Sequence, residues 1–320
     1  MRRAGLVLAT AFVLLPLAGA RREVWAQTAD GHAQGTDPTT SGHSHVAAPP
    51  QCTDSETATG TVLSPADSAR LAAVHAAVAH LATPEAARAA GFQPVFGNIP
   101  TMGVHWVHPG RTRDGVVLEA PDHLLFAPWG GEERLVGVAY AFLDRPNTDE
   151  PVPFESEHAH WHDHPELAPP GESLHMMHVW FVPSSGGPFA GNNFWLPFYG
   201  AGITPPRECW LADAATAERI HAIAMTLAIA QLADHPIELP RALGGQRGLD
   251  GVEALARQVG ARLRAMRERV AELDAAAREG DREAWIAAAD EILASRSAAE
   301  ALASAALLRR LTMAQMPSNP

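Results

Sequence analysis

Six histidines lie close together near the middle of the chain: His158, His160, His162, His164, His175 and His178. Each neutral imidazole offers a nitrogen lone pair that binds zinc or copper at about 2.0 to 2.1 Å, and a stable site needs three or four such donors around one ion. Nine of the chain's 16 histidines fall between His105 and His178, more than the packing of a core requires. This concentration predicts a transition-metal site, with a solvated histidine-rich loop as the alternative.

The spacing within the run from His158 to His164 favours chelation. In extended backbone, side chains two residues apart share a face, so the four histidines of this run would lie on one face. Trp161 and Asp163 would lie on the other face. We expect the four histidines to act as ligands that capture metal.

A spacing of three residues works against chelation by a single strand. In His105-Trp-Val-His108 and in His175-Met-Met-His178, the two histidines of a regular strand point to opposite faces. Only one histidine of each pair should therefore reach a given site. We expect His105 and His178 to form an ordered site, with His175 as a further candidate ligand.

Methionines near these histidines affect the choice of metal. Met102, Met176 and Met177 carry thioethers, which are soft donors that Cu(I) prefers, although methionine is also common in cores. We expect copper or zinc, with a small edge for copper.

The composition is typical of a globular protein and argues against one class of partner. The chain has 320 residues, 47% of them hydrophobic, which is enough for one or two packed cores. Its formal net charge is -12, and its 24 basic residues are all arginine. The sequence carries no basic stripe with interleaved aromatic residues, so we expect no nucleic-acid partner.

The first residues have the pattern of an export signal. Two arginines precede an apolar stretch from Ala4 to Ala20, and Val24-Trp-Ala26 supplies small residues at a cleavage point. A membrane anchor is the alternative, but the stretch is short for a hydrocarbon core of about 30 Å. We expect residues 1–26 to be a signal peptide, and the protein to be periplasmic or secreted without a stable membrane span after its removal.

Residues 27–60 are rich in small polar side chains and predict a disordered linker. The chain's two cysteines are Cys52, at the end of this linker, and Cys209. After export they would meet an oxidising compartment, so we expect a disulfide between them, with two unpaired thiols as the alternative.

Residues 61–210 predict an α+β domain that contains the metal site. Ser64 and Thr83, each followed by proline, are N-cap residues that predict helices to about Leu81 and Gly91. The segments with the pattern of β-strands are 102–108, 123–127, 135–142 and 176–182. We expect an antiparallel sheet packed against the two helices, with the histidine run in a long loop.

Residues 211–320 predict a helical hairpin or small bundle. From Asp250 to Gly280 the pattern predicts one helix, whose apolar residues recur at spacings of four and three. The stripe over residues 251–279 would pack within the chain or against a helical partner, which includes a second copy of the chain. Packing within the chain is favoured because several helices lie nearby in the sequence.

Several motifs of the central region resemble those of a group of small exported bacterial proteins of uncharacterised function. The shared core of that group reads Met-Gly-Tyr-His-Tyr-Val, Pro-Glu-x-Leu-Leu-Tyr, Leu-x-Leu-Val-x-Val-x-Tyr, Leu-His-Val-Trp and Gly-x-Phe-Ala-x-x-Asn. The corresponding segments here are Met102–Val107, Pro121–Phe126, Leu135–Tyr140, Met177–Trp180 and Gly187–Asn193. The resemblance covers roughly residues 64 to 209. It implies that His105, Asp122 and His178 are polar residues shared with the group, whereas Ala139 replaces an acid that the group often carries.

Three hypotheses about function remain open. In the first, the protein binds a transition metal for storage, delivery or sensing. In the second, His105, Asp122 and His178 form a two-His-one-carboxylate centre of a metal-dependent enzyme, an oxidoreductase or a hydrolase, with water or dioxygen in the open position. In the third, the protein is structural or binds partners, and its histidines are incidental.

Overall fold

The computed structural model describes residues 63–111, 115–146, 148–235 and 246–313. The predicted signal peptide, the predicted linker and Cys52 lie outside these residues. The pairing of Cys52 with Cys209 therefore stays a prediction.

The described part of the chain combines helices with one sheet. Its α-helices are α1 (Pro65–Val78), α2 (Pro84–Ala89), α3 (Leu196–Gly200), α4 (Ala214–Gln231), α5 (Gln246–Ala265), α6 (Arg267–Glu279), α7 (Arg282–Ala294) and α8 (Ala298–Met313). Its strands are β1 (Gln93–Ile99), β2 (Gly103–Val107), β3 (His123–Trp129), β4 (Glu132–Asp144), β5 (His162–His164) and β6 (Ser173–Trp180). Helices before and after an antiparallel sheet confirm the predicted α+β class.

Side-chain caps explain where several helices begin. The side chain of Ser64 accepts a hydrogen bond from the backbone N–H of Asp67, and that of Thr83 accepts one from the N–H of Ala86. Asp281 caps α7 in the same way. Each cap satisfies an N–H group that has no partner within its own helix. The helix starts predicted at Ser64 and Thr83 are confirmed.

The single helix predicted up to Gly280 is wrong, because the structure has two helices there. Met266 leaves the helical conformation, with φ -98° and ψ 23°, and separates α5 from α6. Gly280 ends α6 with φ 76°, a left-handed conformation that glycine adopts without steric cost.

The helices after the sheet share one core with the end of the sheet domain. Members of this core from the two regions are Met102, Trp195, Phe198, Trp210, Ile220, Ile223, Leu273, Trp285, Ile292 and Leu311. Leu263, Met266 and Val270 of the apolar stripe are partly buried and pack against it. Within the described ranges, no helix combines the length and the apolar character that a membrane crossing requires.

The sheet has the strand order β1-β2-β3-β4-β6-β5, with antiparallel pairing throughout. The sequence did not predict the two edge strands. β1 contains Pro94 and Gly97, which weaken the pattern of a strand, and β5 is only three residues long.

The two faces of the sheet have different neighbours. One face packs against α1 and α2 through an apolar core that includes Val74, Phe92, Phe126, Tyr140, Met177 and Val179. The other face carries a second group that includes Leu125, Ala139, Met176 and Trp180, and Leu196 of α3 packs there. Because side chains alternate along a strand, β6 contributes Met177 to the first face and Met176 to the second.

Candidate metal sites

On the second face of the sheet, β4 carries a row of small residues. Gly137, Ala139 and Ala141 lie two residues apart and are buried. A Cβ atom at Gly137 would come within 2.5 Å of the carbonyl oxygen of Val179. Small side chains on the central strand leave volume that longer side chains from the neighbouring strands can occupy.

The strand register places histidines on the two strands that flank this row. His123 of β3 pairs with Ala139, and Ala139 pairs with His178 of β6. Directly opposed residues point to the same face of a sheet, so the two imidazoles flank Ala139. His105 of β2 pairs with Leu125, two residues from His123, and therefore shares this face.

The short strand β5 adds two more histidines to the same face. His162 pairs with Met176, which lies two residues from His178 along β6, and His164 pairs with Leu174. Met176 and Leu174 belong to the second face. Asp163, between the two histidines, points to the opposite face, as the predicted alternation requires.

Together these residues form a continuous file of five imidazoles, which we term the imidazole file. Its members in spatial order are His123, His105, His178, His162 and His164, and successive ring centroids are 6.0, 5.4, 5.1 and 4.9 Å apart. The first four histidines are buried, and His164 is half-buried. The file thus runs from the interior towards the surface.

The closest contact in the file joins two strands that are not neighbours. Nε2 of His105 lies 3.2 Å from Nε2 of His178, although β3 and β4 separate their strands in the sheet. In a flat sheet these strands would be about 14 Å apart, so the contact requires the sheet to curl. The two histidines that the sequence assigns to one site are therefore in contact. Two nitrogens bound to one tetrahedral zinc ion would be roughly 3.4 Å apart, close to the distance observed here.

Burial keeps the central imidazoles neutral. It lowers the pKa of His105 to about 3, with smaller contributions from the imidazoles of His123, His164 and His162. Burial also holds the pKa of His178 well below the ordinary histidine value, and the neighbouring imidazole of His105 adds to this effect. The pKa of His162 is well below that value for the same reasons, burial first and then His178. Neutral imidazole is the form that binds metal, so these donors are available without losing a proton.

Buried nitrogens of the file that lack a hydrogen-bond partner include Nδ1 of His105 and Nε2 of His162. A buried polar atom without a partner costs free energy, about 1 to 3 kcal/mol for a neutral group. A metal ion bound to Nε2 of His162 would remove that cost at this position.

Asp122 holds a histidine of the file in place. Its Oδ2 atom accepts a hydrogen bond from Nδ1 of His123 at 2.8 Å, and its Oδ1 atom accepts one from the backbone N–H of Ala141 at 3.2 Å. Each oxygen thus accepts one hydrogen bond, and through Oδ2 the carboxylate fixes the imidazole of His123. A carboxylate that fixes the second nitrogen of a ligating histidine is a common feature of metal sites.

His123 belongs to the file, although the sequence alone does not single it out. Its neighbour Asp122 is the residue that the sequence predicts as a donor. The signal that could have found it is the Asp-His pair at the start of a strand, because adjacent residues can place a carboxylate on an imidazole nitrogen.

The structure places three other histidines outside the file. His158 and His160 lie in a turn before β5, where His160 Nδ1 donates to the carbonyl oxygen of His158 at 2.9 Å. The predicted extended run therefore holds only from His162 onwards. His108 follows the end of β2 and contacts the ring of Phe92.

A second group of potential ligands lies on the opposite face of the sheet. Glu150, Asp163 and His175 each offer one atom, and these atoms all lie within 4.8 Å of one another, so the group could hold a metal ion. Nδ1 of His175 is 2.6 Å from Oδ1 of Asp163 and 3.3 Å from Oε1 of Glu150. His175 is thus separated from His178, as the spacing of three predicted. The sequence alone does not identify Glu150 as a ligand. Glu150 lies in the loop before β5, and no local pattern predicts that this loop brings it to the sheet.

Comparisons of the chain with protein-family models, with curated proteins and with solved structures gave no match.

Proposed function

We propose that the protein is an exported protein that binds copper or zinc through the imidazole file and stores, delivers or senses that metal. The observation that carries this proposal is the contact between His105 and His178, whose Nε2 atoms lie 3.2 Å apart in a buried site. In the metal-free protein this distance is that of an N–H···N hydrogen bond, and an ion bound by both Nε2 atoms would replace that bond.

The chemistry of the donors supports copper or zinc. Imidazole suits both metals, and the file offers imidazole nitrogens from four strands. Met176 lies on the same face as His178 and pairs with His162. Its thioether is a donor for Cu(I), which supports the small edge for copper.

The ends of the file support a role in metal transfer. Its outer end is the half-buried His164, and the exposed His160 lies close enough to His162 to lower the pKa of that residue slightly. Metal captured by the outer histidines would pass by exchange of ligands to the buried ones. Export is supported by the signal-like pattern of residues 1–26.

Elemental analysis after mild chelation tests the proposal. We expect about one tightly bound copper or zinc ion per purified chain, and we expect His105→Ala and His178→Ala each to lower its affinity by a factor of about ten or more. The control is His80→Ala, since His80 is an exposed residue of the first helical segment.

Two results would contradict the proposal. One is an unchanged metal content in both variants. The other is a metal-depleted protein whose thermal stability does not increase when copper or zinc is added, because an ion at 100 times its Kd should stabilise the folded state by about 2.7 kcal/mol.

A further inference from the structure

The imidazole of His175 is fixed on three sides. Its side chain is 1% exposed, and its ring stacks on Phe142 with the centroids 4.7 Å apart. Its Nε2 atom lies 3.2 Å from the carbonyl oxygen of Arg145. A carbonyl oxygen only accepts hydrogen bonds, so Nε2 carries the proton and donates it.

The protonation of Nε2 determines what Nδ1 can do. In a neutral ring with its proton on Nε2, the Nδ1 atom carries a lone pair. Here Nδ1 faces the carboxylate oxygens of Asp163 and Glu150, at 2.6 and 3.3 Å. These are distances at which Nδ1 would donate a hydrogen bond if it also carried a proton, and a divalent cation in place of that proton would be bound by the Nδ1 lone pair and by both carboxylates.

We propose that Glu150, Asp163 and His175 bind a second divalent metal ion. This ion belongs to the class of first-row metals that favour oxygen donors, such as Mn²⁺. Two carboxylates balance the charge of one divalent ion, and the imidazole completes a set of one nitrogen and two oxygen donors. Carboxylate donors suit Mn²⁺, whereas Cu(I) prefers imidazole and thioether. The site therefore differs in donor class from the imidazole file.

The two sites lie on opposite faces of the β5–β6 pair. Asp163 lies between His162 and His164 along β5, and it pairs with His175 of β6. Alternation sends the side chains of Asp163 and His175 to the face of Phe142, away from the file. The second site does not depend on metal binding by the file, so either proposal can fail alone.

Electron paramagnetic resonance of Mn²⁺ titrated into the full-length protein tests the second site, because the signal of free aqueous Mn²⁺ decreases as the ion binds. We expect one Mn²⁺ site per chain that Asp163→Asn and Glu150→Gln each weaken by about tenfold or more. Glu150 is partly exposed, at 37% of its side chain, so its variant keeps the fold. The matched control is Glu157→Gln, whose side chain is 91% exposed in the same loop and which should leave Mn²⁺ binding unchanged.

Measuring both kinds of metal binding in the variants of each site distinguishes the two sites. His105→Ala should leave Mn²⁺ binding unchanged, and Glu150→Gln should leave the bound copper or zinc unchanged. The proposal is overturned if millimolar Mn²⁺ does not bind, which would mean that an additional proton on His175 balances the carboxylates. It is also overturned if Mn²⁺ binds equally well to Asp163→Asn and Glu150→Gln.

Discussion

At the scale of single residues, the pair Asp122–His123 decides how firmly the inner end of the file is held. Both residues are buried, and the carboxylate bonds both the imidazole and the backbone of β4. The ring held in this way has its centroid 6.0 Å from that of His105. A carboxylate in this position also raises the basicity of a ligating imidazole.

Replacing Asp122 by asparagine should weaken metal binding by about 10- to 100-fold, because the single amide oxygen cannot accept both hydrogen bonds. Competition with a chromophoric chelator measures the affinity. Asp290→Asn is the control, since Asp290 pairs with Arg219 on the exposed surface of α7. An unchanged affinity in Asp122→Asn would show that His123 is not part of the site.

At the scale of elements, β4 makes room for the file. Ala139 has no exposed surface and lies between His123 and His178 in the strand register. An acidic residue at this position would place a carboxylate among the imidazoles. In this chain, the alanine leaves the site to nitrogen donors.

Ala139→Val should crowd the file and weaken copper or zinc binding, and the overpacking should cost about 1 to 3 kcal/mol of unfolding free energy. Ala228→Val in α4 is the matched control, because Ala228 is also buried but belongs to the helical core. Urea unfolding and metal titration of both variants separate the two effects. Equal metal affinity in Ala139→Val and the native protein would contradict this role of β4.

The elements that sequence could predict are those with local causes. The caps at Ser64 and Thr83 involve hydrogen bonds within three residues, so the pattern alone locates the helix starts. β5 has only three residues and forms because β6 pairs with it, which no local pattern shows. The grouping of His105 with His178 could be predicted from residue type, but the inclusion of His123 and Glu150 depends on the register and on a long loop.

At the scale of the whole molecule, the burial of the file makes the stability of the protein depend on pH. In the folded protein, burial lowers the pKa of His105, His162 and His178. In the unfolded chain, the same side chains titrate near the ordinary histidine pKa of 6.5. Protons therefore bind the unfolded chain in preference to the folded one below that pH.

The metal-free protein should lose stability as the pH falls from about 6.5 towards 4.5. Burial lowers the pKa of His105 to about 3 in the folded state, so at pH 6.5 to 4.5 the unfolded chain gains a proton that the folded chain does not. Each such histidine lowers the unfolding free energy by up to about 1.4 kcal/mol per pH unit in this window. Urea unfolding at several pH values measures the slope, and a stability that is constant or rises on acidification would contradict it.

We expect Nε2 of His105, Nε2 of His178 and at least one further imidazole of the file to bind one copper or zinc ion. Anomalous diffraction at the copper or zinc absorption edge, on crystals of the purified protein, locates that ion. The expected result is an anomalous peak about 2.0 to 2.1 Å from Nε2 of both His105 and His178, with a further imidazole of the file at a similar distance. A metal-loaded crystal whose only peaks lie elsewhere, for example at His158 and His160, would contradict it.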